Sequence, residues 1–245
     1  MAENVELKNN KRKRKKSFLK NARKYAKKGQ FGRGTQLESD TYQYFVRIME
    51  AYREGFDNDD DKGVFVNNVF RQTENQEIDC VCNQVGCRVI EMLLPFANDE
   101  VLKRYMNGFC ENLRPLCSDK FASHVLEELV TQACKRSIID NEMREEYKNF
   151  TIKISKFMLN NLEDFMWDTC GNHIVRTCLR NLANIPKEEK KSKNNTSSTE
   201  EIKSGETVIV EYSDLVIEYG ERILTWPQFP DFVKMRKHLV CFKFY

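Results

Sequence analysis

No stretch of the 245-residue chain approaches the ~20 consecutive apolar residues that a membrane-spanning helix needs, and its N-terminus lacks the apolar core of a secretory signal. These two absences predict a soluble, intracellular protein. Paired CxxC clusters are missing as well: the nine cysteines stand at Cys80, Cys82, Cys87, Cys110, Cys117, Cys134, Cys170, Cys178 and Cys241. Neither Cys80 with Cys82 nor His124 with Cys134 assembles the set of about four ligands that zinc takes. The thiols therefore read as reduced and mostly buried, with no metal site. A nucleophile paired with a base and a glycine loop able to cradle phosphate are also lacking, which points away from an enzyme and from any cofactor.

The hydrophobic fraction is 40% and the charged fraction 31%, enough apolar material for a core together with long solvated stretches. The net charge of +3 hides an asymmetry. Residues 1–37 hold thirteen Lys or Arg against Glu3 and Glu6, a net of +11 that leaves −8 for the remainder. Within that segment Lys11, Arg12, Lys13, Arg14, Lys15 and Lys16 are consecutive, followed by Arg23, Lys24, Lys27 and Lys28. With few large apolar residues between them, residues 1–37 read as a disordered basic tail suited to nuclear import or to phosphate contact.

Order is expected from about residue 38, with Asp40 capping a helix that starts at Thr41 and carries Tyr44, Phe45, Ile48, Met49 and Tyr52 at helical spacing. After an acidic loop, a second helix is expected from about Lys62, with Val64, Phe65, Val69 and Phe70 on one side. Beyond it the sequence repeats. Asn83–Leu94, Asp119–Val130 and Asp168–Leu179 align without gaps. Each copy opens on Asn or Asp, places a small residue three positions later (Gly86, Ala122, Gly171), and repeats five apolar positions such as Val85, Val89, Ile90, Leu93 and Leu94. Apolar pairs recur upstream: Ile78 and Cys82, Leu113 and Leu116, Leu162 and Phe165.

At about 100° per residue the apolar positions of each copy cover one half of a helix, and Cys87, Arg88 and Glu91 fall together on the other half. Partner helices are expected before each copy, at about 64–72, 101–113 and 151–162. A helical pair of this size cannot seal its own apolar face, so neighbours must stack into a solenoid that presents the second helices on one surface. The small residues lie 36 and then 49 positions apart, which implies about 13 extra residues within 131–149, read as an extended helix or a surface loop. Residues 187–205 have the composition of a disordered linker. Residues 206–245 read as a partial further repeat, with a helix capped by Ser213 and stopped at Trp226-Pro227, or with a short strand at Val208-Ile209-Val210.

The Leu-x-x-Leu lead, the capped turn, Gly-x-x-Val-Ile-x-x-x-Leu and the 36-residue period resemble the Pumilio (PUF) repeat. The segments Tyr44–Glu50, Phe65–Phe70 and Gly86–Ile90 are similar to the branch called nucleolar protein nine, over roughly residues 38–186. The resemblance implies an all-α, right-handed-type helical-repeat solenoid that binds single-stranded or structured RNA, one base per repeat. It further implies edge-reading pairs at Cys87 with Glu91, Ser123 with Glu127, and Asn172 with Arg176, and stacking residues at Arg88, His124 and His173. Ser with Glu is the guanine-reading pair of that family, and the other two pairs depart from its usual combinations. By the same resemblance the chain is expected in the nucleus and nucleolus, on precursor small-subunit ribosomal RNA, with the import machinery and pre-ribosomal proteins as partners. Relatives carry more repeats than the three aligned here, so the array reads as shortened. An armadillo-like protein-binding nuclear scaffold uses the same helical pairs and the same import tail, and stands as the alternative.

Overall fold

The computed structural model describes residues 18–185 and 209–231. The basic run Lys11 to Lys16, the expected linker at 187–205, Val208 and the last fourteen residues lie outside these limits. Twelve α-helices follow one another among the described residues: α1 (Phe18–Ala26), α2 (Ser39–Glu54), α3 (Asp59–Gln72), α4 (Glu77–Val81), α5 (Gln84–Leu93), α6 (Asp99–Glu111), α7 (Leu113–Ser118), α8 (Ala122–Arg136), α9 (Arg144–Asn160), α10 (Leu162–Trp167), α11 (Gly171–Leu182) and α12 (Ile209–Thr225). Three consecutive trios, α3-α4-α5, α6-α7-α8 and α9-α10-α11, are the repeats. The last helices of each trio pack side by side in one row, α5 on α8 and α8 on α11, and α2 extends that row at its first end. Helix α12 packs on α9 and α11, in the place of the first helix of a further repeat.

The repeated turn has a simple physical origin. Asn83 Oδ1 accepts from the amides of Val85 (2.8 Å) and Gly86 (3.2 Å), and Asp119 Oδ1 accepts from Phe121 (2.8 Å) and Ala122 (2.7 Å). Asp168 Oδ1 likewise accepts from Cys170 (2.8 Å) and Gly171 (2.6 Å). Each side chain satisfies amides that a helix start leaves without partners. The small residue follows from close approach. A Cβ on Gly86 would stand 2.2 Å from the Cys80 carbonyl oxygen, and one on Gly171 would stand 2.5 Å from Cδ1 of Phe165. Each inner helix therefore crosses the short helix before it with no room for a larger side chain.

The outer layer is tied to the inner one by aromatic and polar contacts. Phe70 and Tyr105 meet edge to face at 5.6 Å, and the Tyr105 hydroxyl reaches Thr73 Oγ1 at 3.1 Å. Arg136, at the end of α8, donates to Asp99 Oδ1 (2.7 Å) and to the Ala97 carbonyl (2.6 Å), while the Tyr147 hydroxyl of the next repeat donates to the same Asp99 oxygen (2.6 Å). The Tyr219 hydroxyl donates to the Ser155 carbonyl at 2.6 Å and seats α12 on the third repeat. Extra length between the second and third copies is absorbed by the run of α8 to Arg136 and by an early start of α9 at Arg144.

Several expectations are corrected. Residues 18–37 are not a disordered tail. Leu19 and Ala22 of α1 are buried, and α1 packs on α2. The loop that follows is held by Asn83 Nδ2, which donates to the carbonyls of Phe31 and Thr35, both at 2.8 Å. Gly34, at φ +86, lies so close to Cys82 that a Cβ would be 2.0 Å from its carbonyl oxygen. Helix α2 begins at Ser39, with Glu38 at its N-cap, so Asp40 lies within the first turn and does not cap it. Helix α3 starts at Asp59 because Asn58 caps it through the Asp61 amide (2.7 Å), and Val66, not the 62%-exposed Val64, joins Val69 and Phe70 in the core. Ile209 and Val210 belong to α12, so the strand reading fails and Ser213 lies inside the helix.

Gly86→Ala is expected to cost about 2 kcal/mol, because its Cβ must push back backbone and not a flexible side chain. Gly63→Ala, where nothing lies within 4 Å, should gain up to about 1 kcal/mol of helix propensity. Thermal unfolding of the two variants checks this opposition in sign. Asn83→Asp keeps the turn acceptor but removes both donations to the N-terminal loop. Amide hydrogen exchange should then rise across 31–36 while α5 itself stays protected.

Candidate nucleic-acid interface

The positions singled out by the repeat alignment come together on the exposed side of α5, α8 and α11. In every copy the stacking position is exposed: Arg88, His124 and His173. The first edge position is buried, with Cys87 4%, Ser123 2% and Asn172 2% exposed. Among the third positions, Glu91 and Glu127 are half-buried and Arg176 is exposed. This gradation follows from the helix. The first edge residue directly follows the small residue that crosses the preceding short helix, and the next residue is turned about 100° away from it.

Two hollows separate successive stacking residues. One, of about 320 Å³, is walled by Arg88 and His124 and lined by Cys87 and Glu91. The other, of about 400 Å³, is walled by His124 and His173 and lined by Ser123 and Glu127. A planar guanidinium or imidazole thus stands on either side of each hollow, with a carboxylate between. Such an arrangement offers π faces to a flat ring and acceptors to its hydrogen-bonding edge. Met49 and Arg53 from α2, and Phe18 from α1, complete the first hollow, and Lys120 joins the second. Sequence alignment of the three copies missed Phe18, Met49 and Arg53 because they stand outside the copies. The apolar spacing of Phe18, Leu19, Ala22 and Tyr25 is the signal that would have found α1.

The three edge pairs differ in state. Cys87 donates its thiol to the Phe121 carbonyl at 3.0 Å, and burial, with Glu91 adding to it, pushes that thiol up to about 12. Glu91 Oε2 pairs with Arg88 Nη1 at 3.0 Å within its own helix. Glu127 is held across the repeat seam: its Oε2 accepts from Thr177 Oγ1 of α11 at 2.8 Å, and its Oε1 lies 3.9 Å from His124 Nδ1. In the third copy the Asn172 amide nitrogen donates to the Asp168 carbonyl, and Arg176 Nη2 meets His173 Nδ1 at 2.5 Å. Asn172 therefore directs one of its two amide hydrogens to the turn below it, a use the alignment could not reveal. Among the described residues no group of three or more His, Cys, Asp or Glu is placed to hold a metal ion, and no helix is long and apolar enough to cross a membrane.

Because the thiolate is the reactive form and burial disfavours it at Cys87, iodoacetamide at pH 8 should modify Cys87 far more slowly in the folded protein than in the unfolded chain. Mass spectrometry of tryptic peptides, with the urea-unfolded chain as reference, checks this. Modification of Cys87 at the unfolded rate would contradict its burial.

Similar proteins place this architecture. Nucleolar protein 9 of Candida tropicalis is 29% identical over 110 residues, covering 44% of this chain and 15% of that protein. Nucleolar protein 9 of Botryotinia fuckeliana is 30% identical over 120 residues (49% and 15%), and that of Candida albicans is 31% identical over 110 residues (44% and 15%). The matched region thus spans 15% of the length of these relatives. Among solved structures, APUM23 with a deletion of its insert region and GGAAUUGACGG superposes with a TM-score of 0.54 at 15% identity, covering 77% of this chain and 32% of that one. The structure of APUM23-GGAGUUGACGG gives the same TM-score at 14% identity, covering 78% and 36%. These likenesses carry the all-α helical-repeat fold. Residues 75–215, more than half of the chain, match the family described as NOP9-like PUF repeat domain, and the chain belongs to that family.

Proposed function

We propose that this chain is a non-enzymatic RNA-binding protein that holds single-stranded RNA on the exposed face of α5, α8 and α11, one base per hollow. The observation that carries the reading is the recurrence of the same hollow, flanked by Arg88 and His124 and then by His124 and His173, with a carboxylate in each. An unstacked base inserted there meets a planar guanidinium or imidazole on each face and an acceptor at its edge, which is how single strands are read. Ser123 with Glu127 is the guanine-selecting pair, since a carboxylate accepts from both donors on the Watson–Crick edge of guanine. At the first hollow the Cys87 thiol is already engaged, which leaves Glu91 to face the base. Arg176 contacts phosphate instead of a base edge, because Asn172 is turned into its own helix.

The relatives are named Nucleolar protein 9, and the similar structures are of APUM23 with sequences such as GGAGUUGACGG. The name of the relatives supports a role in the nucleolus, and APUM23 solved with such a sequence supports an RNA ligand on this fold; precursor small-subunit ribosomal RNA and pre-ribosomal proteins are the partners proposed there. Lys11 to Lys16 serve nuclear import and add phosphate contacts that carry no sequence information.

Fluorescence anisotropy with the full chain tests these parts separately. Glu127→Ala should abolish a preference for guanosine over adenosine while keeping most of the affinity. Replacing Lys11 to Lys16 with glutamine should lower the slope of log affinity against log salt by about 2 without changing base preference. RNA binding that is lost entirely with the basic run and is indifferent to Glu127 would turn the repeats into a protein-binding scaffold.

A further inference from the structure

Between α8 and α11 a hydroxyl of one inner helix meets the carboxylate of the other. Thr177 of α11 donates to Glu127 Oε2 at 2.8 Å, and Thr177 Oγ1 accepts in turn from Arg180 Nη2 at 3.1 Å. One helical turn further along, Asn181 Nδ2 donates to Thr131 Oγ1 at 3.1 Å, so two rungs join α8 to α11 at the same separation of 50 residues. Thr177 is 1% exposed, so it reaches Glu127 from inside the seam and not from the ligand side. Among the described residues no hydroxyl of α8 donates to Glu91. The position of α8 that matches Thr177 is Glu128, whose carboxylate accepts from Gln132 Nε2 of its own helix at 2.7 Å. Glu91 is paired within its own helix to Arg88.

We infer that Thr177 is a positioning residue for base selection: it orients the Glu127 carboxylate toward the hollow between His124 and His173, so that guanine selection by the second repeat requires the third. This rests on the reading of Glu127 as the edge-reading acceptor. A carboxylate offers about four lone-pair directions and Thr177 occupies one, so both oxygens remain able to accept from the two donors of guanine. Fixing the side chain before binding removes rotamer freedom that a half-exposed glutamate would otherwise lose on contact with the base. A hydrogen bond to a charged acceptor is also among the stronger ones in a protein. The same logic separates the two carboxylates. Glu91, held by an exposed arginine of its own helix, is free to follow that arginine when it stacks, and so selects less sharply than Glu127.

The test uses the full chain and a short oligouridine carrying one central guanosine or, in its place, one adenosine. Thr177→Val keeps the shape of the side chain and removes its donor. It should lower the guanosine-to-adenosine affinity ratio about tenfold, with adenosine binding and the melting temperature little changed. Thr177→Ser should restore the ratio, since it returns the hydroxyl. Glu127→Gln serves as the reference for complete loss of selection. If Glu127→Gln abolishes the preference while Thr177→Val preserves it, the positioning role is overturned and the reading of Glu127 stands. If the unaltered chain shows no preference, or Glu127→Gln does not change it, the reading of Glu127 falls and the role of Thr177 with it.

Discussion

The first turn of each inner helix packs against the short helix before it through a small residue, and the rest of the molecule depends on that crossing. Where Gly86 meets the Cys80 carbonyl and Gly171 meets the Phe165 ring, an added Cβ would overlap. Ala122, fully buried, fills the same place in the second copy. The approach brings the crossing helices close enough for Val85, Val89 and Ile90, or Val125 and Leu126, to be buried without a gap. It leaves the amides of the turn without water, which is why Asn83, Asp119 and Asp168 must supply an acceptor there. It also fixes the rotation of the helix about its axis. The residue after the small one is carried to the base of the exposed face, the next to its rim, and the one four beyond the first to the wall.

Rotation explains why so much of the site is legible in sequence. An alignment of three short segments recovers the exposed positions Arg88, His124 and His173, because the spacing from the capped turn to the exposed arc is set by helix geometry. The hollows between them follow from the side-by-side packing of α5, α8 and α11. The first copy carries Asn where the others carry Asp, a difference that gains meaning only in three dimensions: the amide of Asn83 is needed as a donor to Phe31 and Thr35. A substitution that looks neutral within the repeat is thus the anchor of a segment fifty residues upstream.

What sequence does not reveal lies where a side chain answers to something outside its own copy. The density of Lys and Arg in residues 18–37 outweighs the sparse apolar period of α1, yet Leu19 and Ala22 need only one partner surface, α2, to become buried. Val64 lies at helical spacing with Phe65 and Val69 but points to solvent, because the packed face of α3 is the one that carries Val66, Val69 and Phe70. Asn172 occupies an edge-reading position by alignment, while its amide is bound to the turn below. In each case a short-range pattern is correct about the helix and silent about which neighbour claims the residue.

Three i,i+3 contacts line the exposed face. Arg88 with Glu91, His124 with Glu127 and His173 with Arg176 all join a stacking position to the edge position one turn later. Exposed pairs of this kind contribute between nothing and about 1 kcal/mol, so a ligand that separates them loses little. Their use is geometric: each keeps a long or planar side chain near the wall of a hollow and out of its interior. Glu127 has a partner on the neighbouring inner helix, Thr177, which remains in place if His124 swings onto a base. Opening the first hollow releases both Arg88 and Glu91 together, whereas opening the second releases His124 and leaves its carboxylate fixed. Under the proposed RNA-reading role, the two neighbouring repeats, built on one plan, thereby differ in how sharply they discriminate.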